Sequence, residues 1–265
     1  MIDIHHHLLF GLDDGSPDIE TSVAMAEAAA ADGTTHIVCT PHSNDTYAYR
    51  PDVNQERLAE LRLRLKDRIT LGLGCDFHLS WDNVSDALKN PTKYTINGTN
   101  YLLVEFPDLG IAPNMSETFF EMELARMTPI ITHPERNPTI THQPERLAEW
   151  VRNGCLVQVT AGALTGRFGK TAEHFSNELL RKNWVHFIAS DAHNLTSRPP
   201  QLSHAYQYIA NRHGQETADR LCISNPRAAF FGENWPEQPE PIGLYPEEEH
   251  DKTKKRSFLS RLFSR

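Results

Sequence analysis

Met1-Ile2-Asp3-Ile4-His5-His6-His7 opens the chain, and the acidic turn Asp13-Asp14-Gly15 follows shortly after it. An extended segment sends alternate side chains to opposite faces, so His5 and His7 share one face and His6 takes the other. Neutral imidazole is the commonest metal-binding side chain, and two imidazoles on one face are how a strand end presents a cation. An expression tag is the competing reading of three consecutive histidines. The run is shorter than the usual tag and sits inside an apolar, β-like start that leads into an acidic turn, which favours the ligand reading.

The same arrangement recurs downstream. Strand-like apolar runs over residues 35–40, 69–74, 101–104, 129–132, 155–160 and 185–189 alternate with helical stretches over 18–31, 53–68, 116–127, 144–153 and 170–182. Ser16-Pro17 starts the first helix, Asp32-Gly33 stops it, and Leu58, Leu61 and Leu65 keep helical spacing in the second. Seven strands alternating with helices predict a parallel α/β fold. Ligand-type residues stand at the C-terminal strand ends: His5, His7, His42, Asp76, Glu105, His133, Asp191 and His193. Active sites of α/β barrels are assembled there. An open doubly wound sheet also gathers ligands at strand ends, but a ring of them over nearly every strand favours a closed, TIM-like barrel.

Composition narrows the function. Of the 265 residues 39% are hydrophobic, and no apolar run approaches the roughly 20 residues a membrane helix needs. The start lacks the basic and apolar regions of a signal peptide, so a cytoplasmic protein is expected. A net charge of −9 argues against nonspecific nucleic-acid binding, which needs a basic surface. Cys39, Cys75, Cys155 and Cys222 form no CxxC pair and read as small buried hydrophobes. The expected domain is 1–232. Residues 233–265 read as a Pro-rich, acidic linker followed by a basic amphipathic tail, Lys252–Arg265, whose Phe258, Leu259, Leu262 and Phe263 share one helical face, as in a membrane-surface anchor.

Imidazoles and carboxylates without thiolates suit Mn²⁺, Fe²⁺ or Zn²⁺, and the candidates exceed what one ion can use. Two or three clustered ions serve hydrolysis by activating water and neutralising phosphate oxygens. Arg136, just after His133, and Arg198, just after His193, offer planar guanidinium groups for bidentate phosphate binding. A thiol-phosphatase signature, Cys followed five residues later by Arg, is absent: after Cys39 that position holds Asn44, and after Cys155 it holds Thr160.

The segments MIDIHHHLLFGLDDG, CTPH, LLVEFP, THPERN and ASDAHN with its following SRPP, in order from Met1 to about Gly232, resemble one family. It is the bacterial manganese-dependent protein-tyrosine phosphatases of the CpsB/CapC type, within the polymerase and histidinol phosphatase (PHP) superfamily. The resemblance implies a distorted TIM-like (β/α)7 barrel of the PHP type holding three divalent ions, Mn²⁺ first, with Fe²⁺ or Zn²⁺ as alternatives. It implies dephosphorylation of the phosphotyrosine-containing tail of a bacterial tyrosine kinase that controls capsule or exopolysaccharide export. The family's metal ligands fall on His5, His7, Asp14, His42, Asp76, Glu105, His133, Asp191 and His193, and its phosphate-binding arginines on Arg136 and Arg198. The implied grouping is His5, His7 and Asp191; Glu105 and His133; and Asp14, His42 and His193, with Asp76 bridging. That bridging position is usually Glu. Other readings are a PHP phosphoesterase acting on histidinol phosphate or a nucleotide, and a non-catalytic kinase-binding regulator.

Overall fold

The computed structural model describes residues 1–107 and 110–244. Among the described residues nine parallel strands form two hydrogen-bonded sheets. The first holds β1 (Ile2–His6), β2 (His36–Cys39) and β4 (Thr70–Leu73), in that order. The second runs β3 (His42–Ser43), β5 (Asp76–His78), β6 (Tyr101–Glu105), β7 (Thr128–Thr132), β8 (Leu156–Thr160) and β9 (Phe187–Ala189). Only a few residues separate β2 from β3 and β4 from β5, so two of the seven expected staves are each broken midway. The breaks fall at Thr40-Pro41 and Gly74-Cys75; proline has no N–H to continue a ladder. His42 and Asp76 therefore lie on short strands that restart after the break, paired with each other in register, rather than at the ends of the long ones.

The first and last staves meet over less ladder than the others. An isolated bridge joins His6 to Ala192, while His7 N–H donates to the Ala192 carbonyl at 2.9 Å and Asp191 N–H to the His5 carbonyl at 3.0 Å. The seam of this distorted barrel thus lies at the residues the sequence marks as ligands.

Strand alternation sets the layers. Tyr101, Leu103, Ile130, Phe187 and Ala189 form one buried cluster with Ile2, Ile4 and Val38. The intervening Leu102, Val104, Ile131, Val157, Val159 and Ile188 pack with helical residues such as Phe119, Met122, Trp150, Phe175 and Leu179. Those residues belong to the outer helices α4 (Met115–Leu124), α6 (Pro144–Arg152) and α8 (Gly169–Arg181). Burial on both faces is the condition of parallel sheets and explains the near-continuous apolar strands. Earlier come α1 (Ile19–Ala31), α2 (Pro51–Leu65) and α3 (Trp81–Lys89), with α5 (Pro138–His142) and α7 (Ala161–Leu164) as short intermediates. The chain ends in α9 (Ser203–His213), α10 (Gln215–Asp219), a π turn over Arg220–Ser224 and α11 (Asn225–Phe231). Neither α3 nor the helices over 203–231 fall within the stretches whose pattern predicts helix: α10 and α11 are short, Gly214 separates α9 from α10, and Pro226 sits in the first turn of α11.

Residues 233–244, expected to open the linker, lie against the barrel. The Trp235 ring stands 5.8 Å from that of Tyr101 and 5.6 Å from that of Phe187, the first residues of β6 and β9. It thus packs at the end of the barrel opposite the strand C-termini. Trp184 Nε1 donates to the Ile242 carbonyl at 3.0 Å. The tail Lys252–Arg265 is outside the described residues. No helix among the described residues is long and apolar enough to cross a membrane.

Candidate metal centre

All nine residues expected as ligands converge at the C-terminal ends of the strands. They form four overlapping groups whose potential donor atoms lie within 4.8 Å of one another: His7, Asp14, His42 and His193; His5, His7 and Asp76; His5, His133 and Asp191; and His42, Asp76 and Glu105. The geometry overlaps the expected grouping without repeating it. His42 and His193 share Asp14, each at 3.4 Å, and His133 Nε2 lies 3.4 Å from Glu105. Asp191, however, faces His133 as well as His5 and His7. Asp76 is central, with Oδ2 at 3.3 Å from both His5 Nε2 and His42 Nδ1 and 3.9 Å from His7 Nε2. The carboxylate one methylene shorter than Glu reaches two groups because β5 sets it beside His42.

Imidazoles are aimed by what their outer nitrogens hold. His5 Nδ1 donates to Gln158 Oε1 at 2.9 Å, and His7 Nδ1 to Asp13 Oδ2 at 2.7 Å, leaving both Nε2 atoms facing inward. His193 Nδ1 donates to the Asp191 carbonyl at 3.0 Å, leaving Nε2 for Asp14. Asp13 also accepts from the backbone N–H of His42 and Gly15, so one carboxylate ties the loop after β1 to the start of β3. Neither Asp13 nor Gln158 was expected as a site residue. Asp13 stood beside Asp14 in the opening motif with nothing to distinguish the two, and Gln158 carried no signal beyond being a polar residue in a buried strand. His6 is fully buried and burial lowers its imidazole to about 3, so it is neutral and has no place in the donor groups.

The electrostatics suit cations: burial opposes the charged form of His7, yet Asp13 and Asp191 raise it to about 10, so in the metal-free fold imidazole charge stands where a cation would. Burial opposes ionisation of Asp76 and Asp191, yet the surrounding imidazoles, with Arg136 and Arg198 beside Asp191, hold both below the usual carboxylate range. Burial, reinforced by the Asp76 and Asp191 charges, pushes Glu105 up to about 9. Burial and the Arg136 charge hold His133 well below its ordinary value, and burial with the His7 charge lowers His193 to about 4, leaving both in the neutral form that binds metal. Asp76 Oδ1 is buried without a hydrogen-bond partner among the described residues, and Asp76 Oδ2, Asp191 Oδ1 and His193 Nε2 have only imidazole–carboxylate contacts of 3.3 Å and beyond. Buried carboxylate oxygens held this loosely are costly, and divalent cations satisfy them.

Both arginines converge on the same oxygen, Asp191 Oδ2, through Arg136 Nη1 and Arg198 Nη2. Two of the candidate ligands hold left-handed backbone: Asp191 at φ 52° and His133 at φ 35°. Such conformations cost free energy for non-glycine residues and cluster at functional sites. All four cysteines are buried, and burial raises each thiol, Cys222 to about 12, which leaves no thiolate nucleophile among them.

Gly15 shows how tightly the acidic turn rests on His7. A Cβ there would lie 2.4 Å from the His7 carbonyl oxygen and 2.5 Å from His7 Cβ. Gly15→Ala is therefore expected to shift His7 and weaken cation binding roughly tenfold or more, the loss typical of a disturbed outer shell. Elemental analysis at limiting metal checks this, and a wild-type metal content would refute it.

Parallel strands in a seamed ring, with five imidazoles, four carboxylates and two arginines at their C-terminal ends, define an α/β barrel protein with a candidate multi-cation, anion-receiving centre. More narrowly, the chain belongs to the family described as capsular polysaccharide synthesis, CpsB/CapC, which matches residues 1–230. It is 36% identical over 220 residues to the tyrosine-protein phosphatase YwqE of Bacillus subtilis, covering 82% of this chain and 86% of that one. It is 34% identical over 213 residues to the putative tyrosine-protein phosphatase CapC of Staphylococcus aureus, covering 78% and 82%. A solved chain from the crystal structures of YwqE and of CpsB from Streptococcus pneumoniae, described as unique metal-dependent tyrosine phosphatases, superposes with a TM-score of 0.84 at 33% identity over 91% of this chain and 99% of that one. A lactonase from Listeria monocytogenes superposes at TM-score 0.56 and 13% identity, a likeness of fold alone.

Proposed function

We propose that the protein is a metal-dependent protein-tyrosine phosphatase whose substrate is the phosphotyrosine-bearing tail of a bacterial tyrosine kinase in capsule or exopolysaccharide synthesis, acting in the cytoplasm. The observation that carries the reading is the meeting of two guanidinium groups and the imidazole cluster at Asp191, which brings an anion clamp against a pocket that suits cations. Its membership of a family with phosphatases as relatives supports the choice of reaction.

The donor set fits hard-to-borderline divalent cations, Mn²⁺ first and Fe²⁺ or Zn²⁺ next, because it contains imidazole and carboxylate and no thiolate. His7, Asp14, His42 and His193 would hold one ion, His5, His133 and Asp191 a second, and Glu105 a third with His42, while Asp76 stands between the groups. Bound there, divalent cations supply Lewis-acid neutralisation of phosphoryl charge and an activated water nucleophile. Arg136 and Arg198 would exchange Asp191 for the non-bridging phosphoryl oxygens and stabilise the charge that spreads over them during in-line displacement. Asp13 and Gln158 keep the His7 and His5 rings turned inward throughout. Tyrosine phenolate leaves with a pKa of about 10, so protonation of the leaving oxygen assists without being indispensable.

The test is to strip the protein of metal, restore Mn²⁺, and compare turnover on a phosphotyrosine peptide with histidinol phosphate. Metal-restored turnover favouring the peptide is expected. Preference for histidinol phosphate would move the assignment to a small-molecule phosphoesterase, and no turnover on either would leave a binding role.

A further inference from the structure

The turn Gly166-Arg167-Phe168-Gly169, between α7 and α8, reaches both arginines of the clamp at once. The guanidinium of Arg136 stacks over the Phe168 ring, with its carbon 4.7 Å from the ring centroid. Next to it, Arg167 Nη1 donates to the Ser197 carbonyl at 3.0 Å and the Thr196 carbonyl at 3.5 Å, in the loop that leads directly into Arg198. The far side of that loop is held by Asn194, whose Oδ1 accepts from the backbone N–H of Ser197 at 2.8 Å and of Arg198 at 3.1 Å. Arg198 is thus fixed between Asn194 and Arg167, and Arg136 lies on Phe168. The turn is tight by construction: Gly166 and Gly169 take φ of 82° and 86°, and a Cβ on Gly162 would lie 3.0 Å from Arg167 Cδ and 3.2 Å from Phe168 Cε2. A small cavity of about 40 Å³ beside the clamp is lined by Arg167, Phe168, Ser190 and Arg198 together.

We infer that Arg167 and Phe168 are positioning residues for the phosphate clamp, Phe168 setting the plane of the Arg136 guanidinium and Arg167 setting the loop that carries Arg198. The inference rests on the phosphatase reading above. A guanidinium delivers two parallel hydrogen bonds only in one plane, and a flat aromatic face fixes that plane while leaving the N–H edges free. When both arginines leave Asp191 for a phosphoryl group, the ring contact and the loop contact need not break. The clamp then arrives oriented, and little freedom is lost on binding.

The experiment measures binding of inorganic phosphate to the manganese-loaded protein by calorimetry. Phe168→Leu, which keeps bulk and removes the ring face, is expected to weaken phosphate binding about tenfold, the scale of a partly buried cation–π contact, and Phe168→Tyr to restore it. In an Arg136→Ala background the same Phe168→Leu step should change nothing further. Arg167→Gln, at an exposed position where folding is not in question, should weaken phosphate binding about threefold, and this effect should vanish in an Arg198→Ala background. Wild-type phosphate affinity in both single variants, or equal losses with and without the partner arginine, would overturn the inference, since a merely structural role acts in both backgrounds alike. Failure of the underlying reading is seen separately, as wild-type protein that neither binds phosphate nor turns over the peptide.

Discussion

Asp76→Asn is expected to remove turnover on a phosphotyrosine peptide by on the order of 10³-fold and to lower the metal content of the purified chain. Asp76 is the one carboxylate shared by the His5–His7 group and the His42–Glu105 group, and its charge is met among the described residues only by imidazoles, at 3.3 Å from His5 and His42. Asparagine keeps the shape and removes the charge, so the loss isolates electrostatics. The thermal response should run the same way. The imidazoles of His5 and His42 hold Asp76 below the usual carboxylate range despite its burial, so its charge contributes to the metal-free fold at neutral pH, and the metal-free variant should melt below metal-free wild type. Unchanged turnover, or unchanged metal content by elemental analysis, would remove Asp76 from the bridging role.

Arg136→Ala and Arg198→Ala are expected to lower kcat by roughly 10²- to 10³-fold each while leaving the metal content intact, the effect of deleting a donor aimed at developing charge. Arg136→Lys should recover only part of the loss, because a lysine ammonium cannot form the bidentate pair or lie flat on Phe168. The double variant should lose less than the product of the single losses, since both guanidinium groups share Asp191 Oδ2 and act as one unit. Steady-state kinetics with metal analysis on the same samples decides the matter: retained kcat in either single variant would take that arginine out of the clamp.

The two sets of variants also mark where the sequence speaks and where it is silent. The convergence of the candidate ligands was legible because strand polarity puts chemistry at C-terminal strand ends, and His5, Glu105, His133 and Asp191 each stand at or just after the end of a largely apolar run. Alternating strands and helices gave the barrel for the same reason. The breaks that create β3 and β5 were not legible, because two- and three-residue strands have no periodicity of their own and exist only through their neighbours. Asp13 and Gln158 were hidden for a different cause: their role is a hydrogen bond to the outer nitrogen of an imidazole, which residue type alone does not announce and which for Gln158 spans the 153 residues back to His5. Grouping suffered likewise. Sequence can name nine donors, but which three or four share a point depends on side-chain reach across the barrel mouth.

The seam between the first and last staves carries a consequence for how the molecule comes into being. Ser190 donates its backbone N–H to Asp3 at 3.0 Å across 187 residues of chain, and His5, His7, Asp191 and His193 sit on either side of that junction. A growing polypeptide therefore holds its first donors idle until almost the whole barrel has been synthesised, and a loop of that length must close before they meet their counterparts. Cations bound only by the finished ring would pull that closure forward by mass action, and ions that equipped the pocket for chemistry would then also be the clasp that fastens the amino-terminal strand in place.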